Sequence, residues 1–467
     1  MTPKYGGEEL RQACDQAIAL HQKGDLAEAE RGYRQILMGQ PGNFTALHLL
    51  GVVRLQQERM AEALELIGSA LKINPDSVPA LLNFGNVLKA LGRMDEALAI
   101  YGKALDREPA NVTILYNCGN LLREMKRFDA ALESYDRALA ITPDDAELHN
   151  NRGSLLQHLR RMEEALASYQ RALAIHPDYP SALANLGSVL LASGHTAEGM
   201  TVFARHAKLV YGTGSGGRRG DEPAYREKHD REQVDYLRQA GLTGFHLGDG
   251  GPLPGPAINA RNAQTAAEEW RRNRPQILVL DDFLIPEALI KLRRFCWDST
   301  VWRQNYNEGY LGAMLEHGFA CPLLAQIAEE LRQVLPTILG EHPLVYLWGF
   351  KYDSRFSGVK IHADSAAVNV NFWITPDEAN LNPEASGLIV WDAAAPLDWD
   401  FRTFNDNEAA ARAFLAREGA KKVTIPYRAN RAVIFDSDLF HETDTIMFKD
   451  GYFNRRINVT LLYGWRK

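Results

Sequence analysis

Residues 78–111 read VPALLNFGNVLKALGRMDEALAIYGKALDREPAN, and residues 112–145 read VTILYNCGNLLREMKRFDAALESYDRALAITPDD. Aligned, the two stretches repeat their proline, glycine and alanine positions, and the pattern extends in both directions. Pro41, Pro75, Pro109, Pro143 and Pro177 fall 34 residues apart, as do Gly51, Gly85, Gly119, Gly153 and Gly187. Ala29, Ala63, Ala97, Ala131 and Ala165 keep the same step, with Gly199 next in line, and Ala70, Ala104, Ala138 and Ala172 form another small-residue series. A fixed period of this length marks a stack of like supersecondary units.

The period and its small residues resemble the tetratricopeptide repeat over about residues 10–211, in six units. The resemblance implies two antiparallel helices per unit. Glycine on the first helix and alanine on the second let the axes approach closely, and proline separates one unit from the next. Stacked units share a continuous core and curve into an all-α superhelix with a concave face. Asn83, Asn117, Asn151 and Asn185 stand two residues before successive glycines, Asn86 and Asn120 add a second row, and Leu49 replaces the second unit's member. The series resembles the asparagine ladder in the repeats of O-GlcNAc transferases. It therefore suggests a groove for a protein or peptide partner. The other reading of the same amides is structural.

Beyond Tyr211 the period stops. Residues 212–275 are expected to be linker and capping helix: GTGSGGRRG at 212–220 as a flexible connection, a charged helix over 222–240 capping the solenoid, and a Gly/Pro-rich loop over 241–257. Arg271, Arg272 and Arg274 read as solvated surface. Residues 276–467 change character. Strands are expected at 276–284 and in LVYLWGFKY, GVKIHAD, AVNVNFWIT, SGLIVWD, KKVTIP, RAVIFD and RRINVTLLYG, with helices at 286–297, 322–339 and 407–418. Short strands between turns indicate an antiparallel sandwich or barrel.

The chemistry concentrates in this second half. In a strand, residues i and i+2 share a face. His362 and Asp364 then point one way, and Val359, Ile361 and Ala363 the other. With His441, which follows the strand-like run 432–436, they match a facial triad of two histidines and a carboxylate, which leaves three positions of an iron(II) ion open. His-x-Asp alone is weak: His176-Pro177-Asp178 copies it inside a repeat turn. On the last strand, Arg456, Asn458 and Thr460 form the polar face, while Arg455 lies with Ile457, Val459, Leu461 and Tyr463. Arg456 is thus better placed than Arg455 to grip a carboxylate inside a barrel.

Together these features resemble the 2-oxoglutarate-dependent iron(II) oxygenases, in particular the prolyl-hydroxylase-like branch, over roughly residues 276–467. The resemblance implies a double-stranded β-helix (jelly roll) with flanking helices. It makes His362, Asp364 and His441 the iron ligands and Arg456 the partner of the cosubstrate's far carboxylate. Thr460 and Tyr352 match further cosubstrate positions. The spacing of 15 residues from His441 to Arg456 is longer than in many relatives. The cofactors implied are Fe(II), 2-oxoglutarate and O2. Asn369 and Asn371 face inward, towards substrate or cosubstrate or as satisfied core. The 298–321 and 392–420 segments are expected to line the substrate pocket.

Composition bounds the remaining choices. The formal net charge of −7, from 52 basic and 59 acidic residues, disfavours a dedicated nucleic-acid binder. No run of 18 apolar residues predicts a membrane span. The first residues, MTPKYGGEELRQACDQ, lack a secretory pattern, and the four dispersed cysteines form no CxxC, so reduced thiols and a cytoplasmic location are expected. The leading expectation is a dioxygenase hydroxylating a protein or peptide held by the repeats. The alternatives are an oxygenase of a small molecule or glycan that uses its repeats for assembly, and a non-enzymatic repeat scaffold with an inactive barrel.

Overall fold

A computed structural model describes residues 7–212, 222–354 and 358–466, with residues 262–264 described in their backbone alone. The expected connection at 212–220 lies, apart from Gly212, outside the described residues. The chain forms two compact units that divide between Ile175 and His176.

The N-terminal unit is all-helical. Its antiparallel pairs are α1 (Gly7–Gln22) with α2 (Leu26–Gly39), α3 (Phe44–Gln56) with α4 (Met60–Ile73), and α5 (Val78–Ala90) with α6 (Met94–Arg107). The series continues with α7 (Val112–Glu124) and α8 (Phe128–Ile141), then α9 (Ala146–His158) and α10 (Met162–Ile175). Asn43, Asn111 and Asp145 cap first helices by accepting backbone N–H groups that the helix leaves unpaired. The periodic glycines make room for a ring on the second helix of the same pair. A Cβ on Gly85, Gly119 or Gly153 would stand 2.3, 2.5 or 2.7 Å from the ring of Tyr101, Tyr135 or Tyr169. These tyrosines are fully buried.

A sixth pair, α11 (Pro180–Ala192) and α12 (Thr196–Tyr211), belongs to the C-terminal unit. Leu191, Met200 and Phe203 join one apolar core with Phe295, Phe319, Leu324 and Leu331. His206 Nδ1 adds a hydrogen bond with the Glu316 carbonyl at 3.1 Å. α13 (Ala224–Gln239), expected to cap the repeats, is bonded to the β region instead. Tyr225 donates to the Tyr306 carbonyl, Tyr236 to Asp298, and Gln233 to the Ser299 carbonyl.

The strands are β1 (Ile277–Leu280), β2 (Gln304–Tyr306), β3 (Tyr310–Met314), β4 (Leu344–Tyr352), β5 (Val368–Trp373), β6 (Leu388–Ala394), β7 (Lys422–Ile425), β8 (Ala432–Asp436), β9 (Leu439–Thr443) and β10 (Ile457–Tyr463). They form two antiparallel sheets, one in the order β1-β8-β5-β10-β4-β3-β2 and one in the order β7-β6-β9. Flanking helices are α14 (Ala263–Arg272), α15 (Pro286–Asp298), α16 (Pro322–Val334), α17 (Pro336–Leu339) and α18 (Glu408–Glu418).

Three local expectations change. GVKIHAD is no strand: it makes a single bridge, His362 to His441, because the flanking bonds, Thr443 N–H to the Val359 carbonyl and Asp364 N–H to the Ser437 carbonyl, leave the ladder register. The helix expected over 322–339 breaks at Pro336, which has no N–H to donate and drives Leu335 out of helical geometry. β1 stops early because Asp282 adopts a left-handed φ of 51°. β2, β3 and β9 are strands that the sequence pattern did not single out.

Alternation sorts the large sheet into two faces. Val370, Phe372, Ile434, Val459 and Leu461 enter the core shared with the helices. Trp373, Val433 and Phe435 face the small sheet and pack with Leu388 and Val390. The polar residues of the site lie on this inner face.

The position of α11 and α12 gives a first prediction. A chain beginning at residue 176 should unfold cooperatively on heating. A chain beginning at residue 212 should lose that transition or fall insoluble. Each large apolar side chain stripped from the shared core is worth roughly 1.5–3 kcal/mol. Circular-dichroism melts of the two chains decide the point, and equal transitions would refute the assignment.

Candidate metal centre and adjoining cavities

His441 sits in β9, and His362 is held against it by two backbone hydrogen bonds. His362 N–H donates to the His441 carbonyl at 3.0 Å, and His441 N–H returns to the His362 carbonyl at 2.8 Å. The Asp364 N–H continues along the same edge to the Ser437 carbonyl at 3.1 Å. This register brings His362, Asp364 and His441 together, with one ligand atom from each lying within 4.8 Å of the others. Asp364 Oδ2 lies 3.4 Å from His441 Nε2, and Asp364 Oδ1 lies 3.8 Å from His362 Nε2. One ion can span these spacings, and two imidazoles with a carboxylate suit a borderline metal such as iron(II).

The surrounding bonds set each ligand's orientation. His362 Nδ1 pairs with the Lys360 carbonyl at 2.7 Å, and His441 Nδ1 pairs with the Leu439 carbonyl at 3.0 Å. A carbonyl accepts, so each Nδ1 carries the proton and each Nε2 lone pair is left free for a metal. Burial, then the neighbouring His441, pushes the His362 pKa down to about 4, so its ring is neutral near pH 7. Burial alone would raise Asp364, but the adjacent imidazoles of His441 and His362 and the amide of Asn369 hold the carboxyl below its ordinary range. A neutral His362 ring beside an ionised carboxylate is the pair of protonation states that a metal requires.

Asp364 is held in turn by an amide relay. Asn369 Nδ2 donates to Asp364 Oδ2 at 2.5 Å, and Asn371 Nδ2 donates to Asn369 Oδ1 at 2.5 Å. Asn371 Oδ1 accepts from Asn458 Nδ2 at 2.9 Å and from the Thr460 hydroxyl at 2.8 Å. Strand pairing explains the relay, since Asn371 stands directly opposite Thr460 across β5 and β10. Asn369 and Asn371 therefore position the site, and Thr460 has already committed its proton to Asn371.

Arg456 is buried on the same inner face, 1% exposed. Its Nε and Nη2 donate to the Ser386 and Gly387 carbonyls at 2.8 and 3.2 Å. Among the described residues its buried Nη1 has no hydrogen-bond partner. The rings of Tyr352, Trp373 and Tyr427 lie 4.8, 5.5 and 5.9 Å from the guanidinium. Burial lowers the pKa, but arginine stays charged in proteins. Among the described residues no carboxylate forms an ion pair with it, and a buried charge left so costs roughly 3–5 kcal/mol, so the site favours an anion.

Arg456 and the three candidate ligands line one narrow cavity, together with Tyr352 and Thr460. A larger cleft opens beside it. His362, Asp364, Trp348, Phe350 and Val359 line both spaces. Val359 thus points inward, against the expected alternation, because Gly358 turns the chain with a φ of 71°. The walls of the larger cleft include residues from 304–314 and 401–408. Trp348 and Phe350 escaped the sequence reading, although alternation from Tyr352 puts them on its face. Arg455 lies on the opposite face, buried rather than at a rim, and pairs with Glu232 of α13 and with Asp353.

Asn83, Asn117 and Asn151 belong to the N-terminal unit. Asn83 pairs with His48 at 3.0 Å, Asn117 with Asn86 at 3.3 Å, and Asn151 with the Tyr116 hydroxyl at 3.1 Å, each reaching into the preceding repeat. Asn86 and Asn120 accept from Tyr101 and Tyr135. Asn83, Asn117 and Asn151 thus clasp neighbouring repeats together, while the bonds to Tyr101 and Tyr135 stay within one repeat. Asn185 lies half-buried on α11.

Two family models described as tetratricopeptide repeat match the chain, one over residues 82–146, 116–180 and 150–210 and the other over 20–84 and 54–100. The N-terminal part of the chain, to about residue 210, consists of tetratricopeptide repeats and so carries a protein-interaction module. No curated protein matches. Similar solved structures include PilF of Pseudomonas aeruginosa, 18% identical, covering 44% of this chain and 93% of its own, with a TM-score of 0.40. YrrB, described as a TPR protein with an unusual peptide-binding site, is 18% identical over 38% of this chain and 91% of its own, with a TM-score of 0.34. MamA from Desulfovibrio magneticus is 18% identical over 37% and 97%, with a TM-score of 0.35. Among the described residues no helix is long and apolar enough to cross a membrane.

The amide relay predicts that Asn369→Leu weakens Mn(II) binding about 10- to 100-fold while the chain stays folded. Manganese paramagnetic resonance on the full chain measures this. Unchanged affinity would remove Asn369 from the positioning of Asp364.

Proposed function

We propose that the chain is an Fe(II)- and 2-oxoglutarate-dependent dioxygenase that hydroxylates a protein or peptide recruited through its tetratricopeptide repeats. The observation that carries this reading is one cavity lined by both a His-Asp-His ligand set and a buried guanidinium with a free donor. On this reading the two sheets are a double-stranded β-helix. His362, Asp364 and His441 hold the metal, with Asn369 fixing the carboxylate. Arg456 pairs with the far carboxylate of the oxo acid and so gains its missing counter-ion. Tyr352 packs against the guanidinium, and Thr460 can accept but not donate a further bond. When bound, iron with 2-oxoglutarate supplies the oxidation: CO2 is lost, one atom of O2 enters succinate and the other enters a C–H bond of the substrate. Aromatic side chains around the metal position exclude water from it. The four cysteine side chains are free thiols, which supports a reducing, cytoplasmic setting.

A second reading keeps the oxygenase but gives it a small molecule or glycan, with the repeats serving assembly. The commitment of Asn83, Asn117 and Asn151 to neighbouring repeats favours it, because those amides are already in use. If a chain beginning at residue 176 oxidises the physiological substrate as efficiently as the full chain, the second reading replaces the first.

The two adjacent arginines give the test of the shared chemistry. Arg456→Ala should raise the 2-oxoglutarate concentration needed for Fe(II)-dependent succinate formation by at least about tenfold, the loss of one charge-assisted bond. Arg455→Ala should lower thermal stability, because Glu232 loses its partner, and leave that requirement near the parent's. Succinate assays across a 2-oxoglutarate series check both. The reverse ordering would contradict the assignment.

A further inference from the structure

The larger cleft carries features that the metal and the oxo acid do not use. Tyr306 and Tyr310 stack at 4.4 Å with their planes 11° apart. Phe350 meets both edge-on, at 5.5 and 5.0 Å. Around these rings the cleft is lined by Glu308, Asp406 and Glu408. Among the described lining residues Lys360 is the one basic side chain, and its Nζ lies 3.7 Å from Glu308 and 3.8 Å from Glu408. Arg412 also pairs with Glu408, at 2.9 Å, but it is shared with Glu442, at 2.8 Å. Glu308, Asp406, Glu408 and Glu442 thus face two cations, and a negative surplus remains, apart from Asp364, whose charge a divalent metal would take.

We infer that this cleft admits a cationic group on an aliphatic stem, of the lysyl or arginyl class, as the side chain to be oxidised. The inference rests on the oxygenase reading above and names the substrate class of that site. Aromatic faces attract cations through their quadrupoles, and the attraction grows when the group leaves bulk water. Carboxylates in a cleft steer a cation and repel an anion. Glu308 and Glu408 are 26% and 37% exposed, so an entering group would take them further from solvent. Lys360 shows where such a cation sits. Its ammonium already stands between Glu308 and Glu408, yet its side chain is 59% exposed and free to swing away. A neutral stem end would gain nothing from these carboxylates, and an acidic one would add repulsion.

The test uses the full chain with Fe(II), 2-oxoglutarate and O2, and four pools of short peptides that differ only in a central Lys, Arg, Leu or Glu. Products are read by mass, as the gain of one oxygen atom, and succinate is measured in parallel. The Lys or Arg pool should give at least about tenfold more product than the Leu pool, and the Glu pool the least. The Glu308→Gln, Glu408→Gln double variant should bring that preference to within about threefold. Equal or greater product from the Leu or Glu pool overturns the inference. So does the absence of product from every pool while succinate still forms. No succinate under any condition overturns the oxygenase reading, and this inference with it.

Discussion

Two backbone hydrogen bonds hold the candidate site together. The amide of His362 donates to the carbonyl of His441, and the amide of His441 donates back, at 3.0 and 2.8 Å. Through them an irregular segment, otherwise anchored by Phe404 and Asn405, lies against the edge of the small sheet. The alternation of side chains along that edge then throws His362 and Asp364 to one side, beside His441. Ile361 and Ala363 go to the other side, into a core with Phe404, Leu415 and Phe440. A one-residue slip would exchange these sets and dissolve the ligand cluster.

The large sheet applies the same period to a different end. Its outer face is apolar and packs on helices, including the last repeat pair. Its inner face carries Asn369, Asn371, Arg456, Asn458 and Thr460, a dense buried polar set. The amides satisfy one another in a chain that ends on Asp364, so the strands themselves orient a ligand. Arg456 is the exception. Its Nε and Nη2 find carbonyls and, among the described residues, its Nη1 finds no partner, while three rings surround the charge. The fold tolerates that cost where an anion can relieve it, a common arrangement at sites built for binding.

Legibility in the sequence followed periodicity. The 34-residue step in proline, glycine and alanine gave the repeats, because each unit repeats the same close packing. The glycines read as helix-approach positions, and the structure adds their specific partners, the buried rings of Tyr101, Tyr135 and Tyr169. Alternation in β10 separated Arg456 from Arg455 correctly. In GVKIHAD it held from Ile361 to Asp364 and failed at Val359, where Gly358 turns the chain. The amide relay was invisible because it depends on which strands pair, and no local pattern encodes that β5 lies beside β10. α13 was misassigned for a related reason. It was expected to cap the solenoid, whereas Glu232 and Gln233 are bonded to Arg455 and to Ser299 and Tyr452.

The central claim is that one cavity holds a metal and an oxo acid together. Anaerobic titration of the full chain with Fe(II) and then 2-oxoglutarate tests it most directly, by the visible charge-transfer band of a chelated iron–oxo-acid pair. The account predicts a saturable band in the parent chain and none in Asp364→Ala. A parent chain that binds neither iron nor oxo acid, and gives no band, would contradict it and leave a tetratricopeptide-repeat scaffold in its place.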